Sequence, residues 1–326
     1  MTDRPIVVVL GTGSDDPPPG IEFASAHVEL RYAPDADALP DAIRDADAVF
    51  FWRAEGGWLR AAWPHAARLR WVQSASDGVD ALMFPELVAS DVEVTNARGV
   101  FEDAIAEWVI GAMLAFAARI LDQRDRQLRS EWESTTRERL AGSRLLVVGP
   151  GPIGRAAAVR ARALGMRVEG AGRAARTDAL FGKILATGDT EAFHAALGRA
   201  DHVLDALPLT PVTRHLFDAD RFAAMPPGAR FYNVGRGATV DEAALIAALE
   251  RGAIAGAGLD VFEEEPLAPE SPLWAMPQVL ISPHMCGDVA GWEAEVVAVF
   301  VENAERFARG ESLRNRVDTA SGFGIG

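Results

Sequence analysis

The sequence predicts an α/β protein made of two parallel-sheet domains. Three observations carry that expectation. The chain is 326 residues long, more than one ordinary core holds and enough for two domains of about 150 residues each. Hydrophobic residues make up 49% of it, which supplies apolar mass for two cores. Strand-like runs alternate with helix-like stretches in two successive series, and strands joined through helices by short connections form parallel sheets with crossover helices.

The first series opens with IVVVL (6–10), a continuous apolar run of strand length. HVEL (27–30), AVFFW (48–52), LRWVQS (69–74) and VEVTN (92–96) follow as further strands, and the Pro-rich 17–19 reads as a loop. Between the strands lie Ala- and Asp-rich stretches with helical spacing, such as DADALPDAIRDA (35–46). Residues 101–121, FEDAIAEWVIGAMLAFAARIL, read as one long helix, apolar nearly all round, with acids near its start where the helix dipole favours them. A helix apolar on all sides must be buried, between domains or against another subunit. After the polar stretch 122–142, the second series reads LLVVG (145–149), RVEGAG (167–172), HVLDAL (202–207), ARFYNV (229–234), GAGLDV (256–261) and QVLIS (278–282). DEAALIAALERG (241–252) is a helix with Asp241 as N-cap and Gly252 as its stop. An amphipathic helix near 292–309 and a mobile Gly/Ser-rich tail, 320–326, end the chain.

Lys and Arg number 32 against 47 Asp and Glu, a net charge of −15. A surface this acidic repels phosphate backbones and anionic lipid, which argues against nucleic acid or a membrane as partner. The longest uncharged helix-like stretch, 108–118, is far short of the roughly 20 residues of a membrane span, and the apolar run 6–10 is too short for a signal-peptide core. Cys286 is the single cysteine, so no internal disulfide forms and a reducing cytoplasm is expected. No His/Cys/Asp cluster has ligand spacing, so no metal is expected. An anionic ligand must be held by a few local arginines or by backbone amides.

The sharpest local signal is Gly149, Gly151 and Gly154, a G-x-G-x-x-G directly after a strand and opening a helix. The first glycine allows the tight turn, the second lets backbone approach a pyrophosphate, and the third lets helix pack on strand. The helix N-terminus then offers N–H groups and the positive dipole end to the phosphates. Pro152 has no N–H, so Ile153 and later residues supply the donors. A dinucleotide site for NAD carries an acid at the end of the second strand. Here that strand ends Gly170-Ala171-Gly172 and Arg173 and Arg176 follow, while Glu169 lies earlier, where alternation directs it elsewhere. A guanidinium fork suits a ribose 2′-phosphate, so NADP is the expected cofactor and NAD the second choice; solvated surface arginines are the competing reading.

Three later segments, FYNVGRGATVDEAALIAAL, GAGLDVFEEEPL and LISPHMCGD, together with the glycine motif, resemble the D-isomer-specific 2-hydroxyacid dehydrogenase family. The similarity runs from GVDAL (78–82) to NRVD (315–318) with motif order and separation kept; the first 70 residues fit by pattern alone. The resemblance implies a Rossmann-type dinucleotide-binding domain, 99–285, inserted into a flavodoxin-like substrate domain of 1–98 and 286–326, with the active site in the cleft. It implies a homodimer, for which the 101–121 helix is a natural contact element. It assigns the substrate's carboxylate and carbonyl to Arg236, the proton donor to His284 and its partner carboxylate to Glu265. A 2-keto acid offers a guanidinium two adjacent oxygens to grip, and hydride arriving at the carbonyl carbon builds charge on oxygen that a positioned acid must neutralise. A carboxylate beside the imidazole favours its cationic form and fixes its orientation. The resemblance also places Leu207, Pro208, Thr213, Val234, Gly235 and Asp260 at the cofactor, and Ser76, Asp77, Gly78 and Val79 at the substrate carboxylate.

Asp77 departs from the pattern, since the family more often has a small residue there; its carboxylate is expected to turn away from the anionic substrate. Thr210 and Thr213 either approach the cofactor or shape their turn, and Trp52, Met285 and Trp292 either line the substrate cleft or pack. Cys286 is expected to be a small hydrophobe and His27, His65, His194, His202 and His215 structural. The resulting expectation is an NADP(H)-dependent, D-stereospecific reductase of small 2-keto acids, closest to the glyoxylate/hydroxypyruvate reductase branch. Two alternatives share the frame: a non-catalytic dinucleotide-sensing dimer of the corepressor kind, and a phosphite-type dehydrogenase.

Overall fold

The computed structural model describes residues 4–319 and the backbone of 323–324. The chain divides into two compact units, Met1–Phe101 with Ala290–Gly326, and Glu102–Val289.

The first unit starts with β1 (Ile6–Leu10), β2 (Glu29–Ala33), α1 (Leu39–Ile43), β3 (Ala48–Phe51), α2 (Gly56–Ala62), β4 (Trp71–Ser74), α3 (Pro85–Val88) and β5 (Glu93–Thr95). β3 and β4, and β1 from Val7 on, are unbroken runs of buried residues because a parallel sheet is covered on both faces. β2 begins two residues later than the HVEL run suggested. His27 and Val28 are consumed in closing a 3₁₀ turn, both amides donating to the Ala24 carbonyl, and pairing starts when the Glu29 amide reaches Pro5.

The second unit contains α4 (Glu102–Ala117), α5 (Ile120–Leu128), β6 (Arg144–Val148), α6 (Pro152–Ala163), β7 (Arg167–Gly172), β8 (Arg176–Asp178), β9 (Gly182–Ala186), α7 (Thr190–Leu197) and β10 (His202–Asp205). It continues through α8 (Ala219–Ala224), β11 (Arg230–Asn233), α9 (Glu242–Glu250), β12 (Gly256–Leu259) and β13 (Val279–Ile281). The sheet order is β13-β12-β11-β10-β6-β7-β9-β8, parallel except for β8. Counted within the unit, its central strands follow the doubly wound dinucleotide order, which reverses between β6 and β10; ligands bind outside the carboxyl ends of the strands at such a switch. Asp241 caps α9 as expected, its side chain accepting the Ala244 amide at 3.0 Å, and Gly252 takes a left-handed φ of 65° just past the helix.

The expected single helix over 101–121 is two. Arg119 adopts a left-handed φ of 55°, which ends α4, and α5 leaves at 63°. α4 packs on α6 and buries Ile105, Val109, Ile110 and Met113. Among the described residues no single helix is long and apolar enough to cross a membrane.

The chain returns to the first unit with α10 (Trp292–Arg309), β14 (Arg316–Asp318) and β15 (Phe323–Gly324). Phe300 of α10 stacks on Phe50 with ring centres 4.2 Å apart. The completed sheet, β15-β14-β5-β4-β3-β1-β2, holds the flavodoxin-like order 2-1-3-4-5 with two antiparallel strands added at one edge. The tail expected to be mobile lies outside the described residues except at 323–324, whose backbone pairs with β14.

Candidate active site

The turn after β6 has the geometry its glycines suggest. Gly149 sits at φ 98°, and a Cβ there would lie 2.5 Å from the Ala206 carbonyl oxygen. A Cβ on Gly154 would lie 2.2 Å from the Gly149 carbonyl oxygen, so α6 packs on β6 only through hydrogen. Gly151 is different: it is extended at φ −82°, caps α6 without a side chain, and a Cβ on it would meet nothing within 4 Å. The protein itself does not require glycine there, and the open cradle ahead of the α6 amides suits a pyrophosphate. Pro152 occupies the first helical turn and Ile153 follows it.

β7 ends at Gly172, so Arg173 stands just past the strand end, where an NAD site places its acid, and Arg176 begins β8; both side chains are exposed. Glu169 points elsewhere, its carboxylate paired with Arg199. Leu207 and Pro208 follow β10 at the switch point. Thr213 closes their loop: its hydroxyl donates to the Pro208 carbonyl at 2.7 Å and accepts the Thr210 amide at 2.8 Å.

Arg236 is held by two flanking glycines that each touch another loop. A Cβ on Gly235 would lie 2.5 Å from the Leu207 carbonyl oxygen, and one on Gly237 only 1.7 Å from that of Phe262. Asn233, ending β11 just before Val234, accepts the Gly235 amide at 3.0 Å and donates to the Arg236 carbonyl at 3.1 Å. The Arg236 guanidinium donates to the Gly235 carbonyl at 2.8 Å.

Glu265 and His284 are brought together by the loops after β12 and β13. Glu265 Oε1 accepts the Phe262 amide at 2.9 Å, and Oε2 lies 2.7 Å from His284 Nδ1. His284 has a left-handed φ of 53°, uncommon for a residue with a side chain. Asp260 holds it there: the His284 amide donates to the Asp260 carbonyl at 2.8 Å, and the next two amides, Met285 and Cys286, both reach Asp260 Oδ1 at 3.0 Å. Ser282 adds its hydroxyl to the same oxygen at 2.6 Å. The Glu265 bond raises the His284 pKa above the ordinary imidazole value, ahead of the opposing effects of burial and the Arg236 charge. Burial pushes Glu265 the other way, but the bonds from His284 and Phe262 and the charges of His284 and Arg236 leave it below the usual carboxylate range. With Nδ1 committed to Glu265, Nε2 makes no hydrogen bond within the described residues and is the ring atom able to hand over a proton.

In the first unit, the loop after β4 is tied down locally. The Ser76 amide is spent on Ser74 Oγ at 3.1 Å, and the Ser76 hydroxyl donates to the Gly78 carbonyl at 2.7 Å. Ser76 is therefore a builder of the loop, whereas the amides of Gly78 and Val79 make no hydrogen bond among the described residues. The Asp77 carboxylate accepts from the Asn96 amide group at 3.2 Å, a partner that accounts for an acid in this loop. Trp52 is buried and stacks on Trp292 at 6.0 Å. Burial pushes the Cys286 thiol pKa up, in keeping with a small buried hydrophobe. His202 is buried against the Tyr232 hydroxyl at 3.1 Å, and burial takes its pKa down to about 4. The supporting residues Asn96, Ser282 and Thr239, whose hydroxyl lies 2.6 Å from the Arg236 carbonyl oxygen, gave no signal in the sequence, because a short polar side chain that props up a loop has no spacing rule of its own.

Residues 110–286 match the family described as D-isomer specific 2-hydroxyacid dehydrogenase, NAD binding domain. A glyoxylate/hydroxypyruvate reductase B from Salmonella schwarzengrund (strain CVM19633) is 35% identical over 267 residues, 79% of this chain and 81% of that protein. A crystal structure of a D-isomer specific 2-hydroxyacid dehydrogenase from Xanthobacter autotrophicus Py2, in complex with NADPH and MES, is 32% identical, with a TM-score of 0.83 over 98% of this chain and 100% of that one. An NADPH-dependent glyoxylate/hydroxypyruvate reductase from Sinorhizobium meliloti, in complex with NADP and sulfate, is 27% identical, with a TM-score of 0.82 over the same shares. Motif, sheet order and relatives agree, and the chain belongs to the D-isomer specific 2-hydroxyacid dehydrogenase family of NAD(P)-dependent oxidoreductases.

Proposed function

We propose that the protein reduces a small 2-keto acid, glyoxylate or hydroxypyruvate in kind, to the D-2-hydroxy acid with NADP(H). The observation that carries this reading is the His284 Nδ1 to Glu265 Oε2 bond of 2.7 Å, which favours the cationic imidazole and leaves Nε2 for substrate. Bound NADPH supplies the hydride. Arg236 grips the substrate carboxylate and polarises the carbonyl; in the first unit, the amides of Gly78 and Val79 are able to donate to a carboxylate. As the carbonyl carbon gains hydride, Nε2 of His284 gives its proton to the carbonyl oxygen, and Glu265 stabilises the ring at Nδ1 in both states. Gly149, Gly151, Ile153 and Gly154 would hold the pyrophosphate, Arg173 and Arg176 the 2′-phosphate. Two relatives bound to NADPH or NADP support that choice, and the Salmonella relative supports the substrate class.

The proposed working form is a cytoplasmic homodimer. Leu114 on α4, Ile120 and Leu128 on α5, and the fully exposed Trp132 four residues beyond α5 are large apolar side chains left exposed in the described residues, the kind that an interface covers.

Initial rates with NADPH and NADH, each against glyoxylate, hydroxypyruvate, pyruvate and a bulkier 2-keto acid, test the reading. Expected are an NADPH preference, faster turnover of the small acids and a D product on chiral separation. Arg173→Ala with Arg176→Ala should erase the cofactor preference. An NADH preference would sink the phosphate assignment alone; dinucleotide binding without turnover of any of the acids would sink the reductase.

A further inference from the structure

Asp205 closes β10, fully buried, and none of the roles above uses it. Its Oδ1 accepts the Leu207 amide at 3.0 Å, and its Oδ2 lies 2.5 Å from Thr239 Oγ1. Thr239 Oγ1 lies in turn 2.6 Å from the main-chain carbonyl oxygen of Arg236. A threonine hydroxyl owns one proton. Two oxygen–oxygen contacts this short each need a proton between them, and a carbonyl oxygen has none to give. The second proton therefore belongs to Asp205.

The surroundings agree. The elements packed against the carboxyl, β6, β11 and the turn 236–239, present Val148, Asn233 and Thr239 to it, and no charged or titratable side chain among the described residues pairs with it. Asn233 spends its amide on Gly235 and Arg236, and the Arg236 guanidinium turns to the Gly235 carbonyl. Burial without a cation pushes the Asp205 pKa up to about 7, with the Thr239 and Leu207 bonds opposing in part.

We propose that Asp205 works as a neutral carboxylic acid and is a positioning residue for Arg236. Its proton goes to the Thr239 oxygen, freeing the Thr239 proton for the Arg236 carbonyl, so one chain of hydrogen bonds joins the Arg236 turn to the cofactor-side loop at Leu207. This role presupposes that Arg236 binds substrate, as proposed above. When Asp205 ionises, the Thr239 hydroxyl turns to the carboxylate and no longer donates to the Arg236 carbonyl, which keeps the Thr239 amide and Asn233 Nδ2, each at 3.1 Å, so the Arg236 turn is held by one hydrogen bond fewer and loosens.

Asp205→Asn tests this, because its amide N–H can replace the acid proton toward Thr239 while its oxygen still accepts from Leu207. Expected is a wild-type KM for the 2-keto acid that rises threefold or more between pH 6 and 8.5, and a nearly flat KM in Asp205→Asn, with the kcat profile set by His284 alike in both. Asp205→Ala should raise KM at every pH. Thermal melts read the protonation without substrate. An acid whose folded pKa is raised stabilises the fold most at low pH and loses that contribution as pH rises toward the folded value. The Tm of Asp205→Asn relative to wild type should therefore climb from pH 5 to 7 and level off above. A Tm difference independent of pH would overturn the neutral acid. The expected Tm trend with an unchanged KM rise in Asp205→Asn would overturn the positioning role. An Arg236→Gln variant with unaltered KM would instead overturn the substrate reading of Arg236, leaving the protonation result standing.

Discussion

At the scale of single residues, the pair His284 and Glu265 fixes a direction for the pH dependence. Glu265 raises the His284 pKa, so the cationic, proton-giving form persists above the ordinary imidazole range. Reduction should be fastest at low pH and fall as pH rises through that raised value. His284→Ala should cost about 10²- to 10⁴-fold in rate, the usual worth of a positioned acid. Glu265→Gln removes the charge that favours imidazolium, so its alkaline fall should come at lower pH than in wild type. Profiles of kcat/KM from pH 5 to 9 decide this; a fall at the same pH in both proteins would remove Glu265 from the role. The same shift contributes stability that is present below the unfolded imidazole pKa and lost as pH rises through the folded one.

At the scale of elements, the glycine turn separates two kinds of constraint. Gly154→Ala puts a methyl 2.2 Å from the Gly149 carbonyl oxygen and should destabilise the fold by about 1–3 kcal/mol, as overpacking does. Gly151→Ala meets no protein atom, and should cost stability only the poorer cap, under about 1 kcal/mol. Yet it should weaken NADPH binding tenfold or more, because it occupies the cradle. Melts and NADPH titrations of both variants would show this; full NADPH affinity in Gly151→Ala would mean that the phosphates lie elsewhere. This turn was legible because glycine spacing records backbone geometry directly, and the strands were legible because burial on both faces demands unbroken apolar runs. Elements that lack such demands were not. β8 and β9 form an edge hairpin of mixed, largely exposed residues such as Arg176, Thr177 and Lys183, with neither alternation nor an apolar run to mark them. The bend at Arg119 was hidden because apolar composition continues across it from Phe116 to Leu121, and a left-handed φ at an arginine leaves no trace in composition. Asp205 was read as part of an ordinary strand, HVLDAL. An acid inside a buried parallel strand was the one available signal that it needed a proton or a partner.

At the scale of the molecule, the two units differ in how the chain builds them. The second, Glu102–Val289, is one continuous stretch. Its core of Leu146, Val203, Phe217, Phe231 and Leu249 comes entirely from within that stretch. It also holds every proposed cofactor residue, Arg173 and Arg176 among them, in a protein whose net charge is −15. The first unit is assembled from both chain ends. α10 is indispensable to it, because Phe300 stacks on Phe50 and on Trp71, and Asn303 donates at 2.9 Å to the buried Gln73 Oε1. Val317 of β14 completes the same core. A fragment of residues 102–289 should therefore fold cooperatively and bind NADPH, whereas residues 1–101 alone should not, since they would expose the aromatic face that α10 covers and leave Gln73 short of a partner. Circular dichroism melts of both fragments, with NADPH fluorescence for the first, separate the cases. An unfolded 102–289 fragment would mean that the continuous stretch depends on the chain ends; a cooperative melt of 1–101 would mean that α10 decorates the first unit and does not build it.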